Sequence, residues 1–154
     1  MNYSSDGKYI VSASGDNTIK VWDSNKGTLL YTLEGHETTV NSADFSQDGK
    51  FIISASWDNT IKIWDSTLGT LIHTLEGHET SVNCASFSYD GRYIISASGD
   101  NTIKIWDNYS KKLLQTIYQL SSAKILGSNF TKIKTDNLTE QDIEILRQNG
   151  ALIN

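Results

Sequence analysis

The sequence predicts an all-β protein built of three similar four-stranded antiparallel units and ending in a short C-terminal helix. Three observations carry that reading. Asp6-Gly7, Asp48-Gly49 and Asp90-Gly91 recur every 42 residues, as do Trp22, Trp64 and Trp106, and a fixed period of roughly 20–50 residues marks a repeat architecture. Residues 1–118 show no helical spacing; their apolar residues form short runs or alternate with period two, as strands do. No proline occurs among the 154 residues, so every backbone donor is free to join a sheet ladder.

Residues 6–47 and 48–89 share 30 identities in 42 positions, so one copy justifies all of them. In the second copy, residues 50–56 (Lys-Phe-Ile-Ile-Ser-Ala-Ser) are a β-rich run too short for a helix. Trp57-Asp58-Asn59 then makes a tight turn, because Asp and Asn tolerate left-handed backbone and bond their own main chain. Residues 60–64 alternate as a strand, Gly69 turns the chain, and residues 70–75 form another. Residues 81–87 make a further strand before the Asp90-Gly91 hairpin signal. The first inner strand is trimmed to about residues 1–4, and the third copy decays after about Thr116, where Gln119-Leu120 replaces the Gly-His of Gly35-His36 and Gly77-His78. The chain therefore divides into three repeat units over 1–118 and a tail over 119–154.

The tail reads in two ways. Leu120, Ile125 and Phe130 recur every five residues, which resembles a short pentapeptide-repeat stretch; equally, Ile125 and Phe130 mimic Val82 and Phe87 of a degenerate fourth inner strand. Beyond it a helix is expected from about 140 to 149, with Thr139 as N-cap, a staple from Leu138 to Ile143 and Gly150 as the stop. Such a helix is too short to persist undocked, and the last unit's outer face is where it is expected to pack.

Composition excludes several function classes. The net charge is −5 with an isoelectric point near 5.0, and the thirteen Lys and Arg are scattered, so no phosphate-binding surface for nucleic acid is expected. The single Cys84 excludes an intrachain disulfide framework and any multi-cysteine zinc site. The opening MNYSSDGKYI has no signal-peptide character and no window approaches eighteen apolar residues; a cytoplasmic protein without membrane partners is the expectation. His36-Glu37 and His78-Glu79 begin like the metalloprotease H-E-x-x-H, but the second histidine is missing. Phosphate cradles and nucleophile elbows are absent as motifs. No catalytic residues, metal or cofactor are expected.

Four strands per unit, bounded by Gly-His and Trp-Asp, make the chain resemble the WD-repeat β-propeller family over roughly residues 2–118. The usual proline before Asp-Gly is replaced by Ser5, Gln47 and Tyr89. The resemblance implies four-stranded blades around a channel, here three of them and so an incomplete propeller. It also implies a buried hydrogen-bond relay within each blade: His36, Ser56, Asp58 and Trp64, then His78, Ser98, Asp100 and Trp106, with only Ser14, Asp16 and Trp22 in the first copy. A Ser, His and Asp together also suggest a hydrolase triad, but these recur in each complete repeat with a tryptophan at a turn, which is a structural pattern.

The family's functional surface maps onto Thr39, Asn41 and Trp57, then Ser81, Asn83 and Gly99, with Gly15 in the first copy. Trp57 stands out because its counterparts are Gly15 and Gly99, and tryptophan often dominates interface energy. The competing reading is that Trp57 covers a neighbouring blade's rim. The expected function is a non-catalytic protein-interaction scaffold binding a protein or peptide; the alternative is a regulatory or sensor repeat segment of a larger signalling protein such as an NTPase or kinase. Closed propellers have typically four to eight blades, and a bare end face forfeits on the order of 4 kcal/mol of apolar burial. Three blades therefore call for association of chains, continuation in a longer propeller, or capped ends.

Overall fold

The computed structural model describes residues 1–118, which are all-β. The strands are β1 (Asn2–Tyr3), β2 (Tyr9–Ala13), β3 (Ile19–Asp23) and β4 (Leu29–Leu33), then β5 (Val40–Phe45), β6 (Phe51–Ser56), β7 (Ile61–Asp65) and β8 (Leu71–Leu75), and finally β9 (Val82–Phe87), β10 (Tyr93–Ser98), β11 (Thr102–Asp107) and β12 (Leu113–Tyr118). They form three antiparallel four-stranded sheets in sequence order, β1–β4, β5–β8 and β9–β12. The expected pentapeptide-like stretch or degenerate fourth strand, and the helix over 140–149, lie outside the described residues.

Each strand ends where the sequence supplies a turn. Before β2, Ser4 Oγ donates to Asp6 Oδ1 (2.7 Å), Asp6 accepts the Lys8 amide (3.1 Å), and the Gly7 amide closes on Ser4 O (2.9 Å). The same brace recurs at Ser46, Asp48 and Gly49 and at Ser88, Asp90 and Gly91. At the other end of β2, β6 and β10 the second hairpin residue is Asn17, Asn59 or Asn101, each with φ of 62–70°, a left-handed conformation that asparagine tolerates better than most side chains. The Asp of each Trp-Asp pair caps the next turn: Asp65 Oδ1 takes the amides of Thr67 (2.8 Å) and Leu68 (2.7 Å).

Strand alternation sends one set of side chains to each face, and the sheets stack face to face through two cores. In the first, Val11, Ile19, Val21 and Leu33 of the first sheet meet Val40, Phe45, Ile52 and Trp64 of the second. In the second, Ile53, Ile61, Ile63 and Leu75 of the second sheet meet Val82, Ala85, Ile94 and Trp106 of the third. Burying each large side chain contributes about 1.5–3 kcal/mol. Polar links pin the inner strands to one another: Asn2 Nδ2 donates to Ala43 O (3.0 Å) and Asn41 Nδ2 to Val82 O (2.8 Å).

Candidate functional site

Residues 34–39 carry the chain from the outer edge of the first sheet to β5, the inner strand of the second. Gly35 has φ 147°, and a Cβ there would sit 3.2 Å from Trp64 Cη2; Gly77 repeats this over Trp106 at 3.3 Å. Only glycine lets the backbone pass so close over the indole. That passage delivers His36 between Ser54 and Asp58, with Nε2 2.7 Å from Ser54 Oγ and Nδ1 2.7 Å from Asp58 Oδ2.

Donor inventory fixes the direction of the chain. Indole only donates, so Trp64 Nε1–H gives its proton to Ser54 Oγ at 2.9 Å. The Ser54 hydroxyl then donates to His36 Nε2, leaving His36 Nδ1–H to donate to Asp58. Asp58 also collects the Glu37 amide (3.1 Å), the Thr60 amide (2.9 Å) and the Thr60 hydroxyl (2.7 Å). Trp106, Ser96, His78 and Asp100 repeat the arrangement at 2.8–2.9 Å. Among the described residues no buried side-chain nitrogen or oxygen lacks a partner.

The electrostatics follow from burial and bonding. Burial pushes the His36 pKa below its ordinary value, against the pull of the Asp58 carboxylate. Burial would raise Asp58, but the bonds from Thr60, His36 and the Glu37 amide outweigh it and hold the carboxyl at about 2. Asp100 is lowered in the same way. Ser54 is fully buried and already accepts the indole proton, so it is not placed to attack a solvent-borne substrate.

The relay hydroxyl is therefore Ser54 in the second sheet and Ser96 in the third, rather than the expected Ser56 and Ser98. The reason is reach. Trp64 pairs with Ile52 across β6 and β7, and its indole meets the next side chain on that face, at Ser54; Ser56 lies another two residues along, nearly 7 Å farther. Ser56 instead donates to Thr39 O (2.9 Å) and accepts the Asp58 amide (3.1 Å), bracing the turn. Ser98 does the same with Thr80 O and the Asp100 amide. In the first sheet Trp22 likewise bonds Ser12 (2.9 Å) and not Ser14, and Asp16 is taken up by Thr18 and Lys20.

The residues mapped as a contact face lie at the same end of the sheets. Thr39 and Trp57 are joined, the Trp57 amide donating to Thr39 O at 3.0 Å, and Gly99 is joined to Ser81 O in the same way at 2.9 Å. The Trp57 side chain is 56% exposed. Gly15, Asn83 and Gly99 are exposed, while Thr39, Asn41 and Ser81 are partly covered. Asn41 carries an internal role, since its amide is engaged with Val82 O. Glu37 and Glu79 are exposed and tied to the turn after Trp57, the Glu37 amide donating to Asp58 (3.1 Å) and Glu79 O accepting from Asn59 (3.4 Å).

At the opposite end, a shallow cavity of about 290 Å³ lies between the inner strands, lined among others by Tyr3, Asp44, Phe45, Phe87 and Tyr89. Burial raises the Asp44 carboxyl, which accepts the Phe45 amide (2.9 Å). Sequence reading missed Asp44 because Ser86 occupies its place in the next copy. Among the described residues no group of three His, Cys, Asp or Glu is close enough to hold a metal ion.

Three stretches, residues 1–23, 27–65 and 69–107, match the family model described as WD domain, G-beta repeat. A 41-residue stretch, 26% of the chain, is 54% identical to the WD repeat-containing protein 55 homolog of Dictyostelium discoideum. That match spans only 10% of the relative's own length. The family boundaries do not coincide with the sheets. The match over 27–65 takes in β4 of the first sheet and β5 to β7 of the second; the match over 69–107 takes in β8 and then β9 to β11.

Proposed function

Because the chain belongs to the WD-repeat family, its three matches covering well over half of its residues, we propose that it binds a protein or peptide through the loop end around Trp57. WD repeats generally mediate protein–protein interaction and their proteins are typically non-enzymatic scaffolds. The observation that carries the finer reading is the exposure of Trp57 at a turn position where the other two copies hold glycine. The fold does not require an aromatic there, and a half-exposed indole anchored by its own backbone to Thr39 is a rigid anchor for a partner. The exposed Glu37 and Glu79 tied to the same turn favour a segment carrying positive charge.

Trp57→Gly tests this. The variant is expected to melt within a few degrees of the parent, since Gly15 and Gly99 already serve at that position. In a quantitative pull-down from cell extract, at least one protein held by the parent should be lost by the variant. Equal capture by both would overturn the reading, and a large drop in melting temperature would show that Trp57 is packing. A second reading, a regulatory segment of a larger signalling protein, draws on the outer face of the third sheet, which no described residue covers and further sheets in the same polypeptide would bury. An in-frame continuation of repeats in the gene would favour it.

A further inference from the structure

We propose that the open face of the third sheet docks on the open face of the first sheet of a second copy, so that two chains close a ring of six sheets. The two internal joints are built alike. On one side of each stand Val11, Ile19 and Leu33, or Ile53, Ile61 and Leu75, none more than 2% exposed. On the other side stand Ile52 and Trp64, or Ile94 and Trp106, none more than 3% exposed.

The outermost faces carry the same two sets without a partner among the described residues. Ile95, Ile103 and Ile117 of the third sheet hold the positions of Ile53, Ile61 and Leu75, yet they are 43%, 38% and 42% exposed. Cys84 pairs with Ala97 and shares their face, and it too is exposed. On the first sheet Ile10 and Trp22 hold the positions of Ile52 and Trp64 and are only partly covered, while Tyr3, in the place of Phe45, is largely open. One chain thus presents both halves of a joint that it makes twice internally, and each half fits the other rather than itself. Such a heterologous contact closes only if the rotation completes a circle, and six sheets fall within the usual four to eight. Each face spans roughly 320 Å²; the four faces of two such joints come to about 1,300 Å², above the ~1,000 Å² of a specific interface. Trp57 lies at the ends of the sheets, so this contact is independent of the loop-end site.

Light scattering on the eluted 154-residue chain tests the proposal. The expected mass is twice 17.1 kDa, with Cys84 labelling by a maleimide slowing as protein concentration rises. Ile103→Asp and Ile10→Asp each spoil one face, and each alone is expected to run as a folded 17.1 kDa monomer by circular dichroism and mass. Mixed in equal amounts they should associate more than either alone but more weakly than the parent, because the one joint they can form buries only about 640 Å². A parent that stays monomeric at every concentration would overturn the proposal, whether residues 119–154 or nothing covers the face. So would masses that keep growing beyond two copies, or folded single variants that keep the doubled mass.

Discussion

Ser54 shows how much a single hydroxyl holds. It accepts from Trp64 and donates to His36 with no exposed surface, so Ser54→Ala strands one buried donor and one buried acceptor at about 1–3 kcal/mol each. Ser12 in the first sheet accepts from Trp22 and donates to Lys20 O (3.4 Å), so it links the indole to no histidine. Ser12→Ala therefore strands the indole donor alone where Ser54→Ala strands a donor and an acceptor, and is expected to cost roughly half as much; urea unfolding of the two variants should separate them. The residue types of the relay were legible in the sequence, because the repeat placed His, Asp and Trp together. Which serine joins them was not. Ser54 and Ser56 are two apart on one strand and so share a face; only the diagonal reach of the indole distinguishes them.

At the level of strands and turns, the Ser-x-Asp-Gly brace explains how the fold dispenses with proline. Serine and aspartate side chains hold the turn from both ends, as at Ser46 and Asp48. Gln47 occupies the second position of that turn, between Ser46 and the Gly49 amide that closes on it, a position where proline is favoured. Gln47→Pro is expected to stabilise by about 0.4–1 kcal/mol through the unfolded chain, seen as a raised denaturation midpoint with an unchanged slope; a lowered midpoint would mean the turn needs another geometry. Strand positions were readable to within about a residue because Asp-Gly, Asp-Asn and Gly bracket each one. The short β1 was readable too, from the place where the first copy begins.

For the molecule as a whole, acid should loosen the stack in two stages. Burial keeps His36 neutral in the fold, whereas the unfolded chain takes up that proton below about pH 6.5, so stability falls as pH drops through that region. Asp58, held at about 2 against 3.8 unfolded, and Asp100, lowered likewise, withdraw stability again from about pH 4.5 downward. Both stages have the same sign, because the unfolded chain binds more protons. Urea midpoints measured from pH 7.5 to 3 should decline throughout; a flat profile would contradict the assignment, and Asp58→Asn should shrink the lower stage. What the repeat could not disclose is that chemically equal sheets are unequal in surroundings. Leu75 and Ile117 are equivalents by alignment, and position in the stack alone buries one and bares the other.

The offset between family match and sheet bears on how such a gene can lengthen or shorten. A 42-residue unit supplies the closing strand of the sheet before it and the first three of the sheet that follows. Unequal recombination between near-identical copies would thus splice in or drop one whole layer, with its histidine link already in register and no ladder left half-made. Copy number can drift in descendants while every surviving seam keeps the same chemistry.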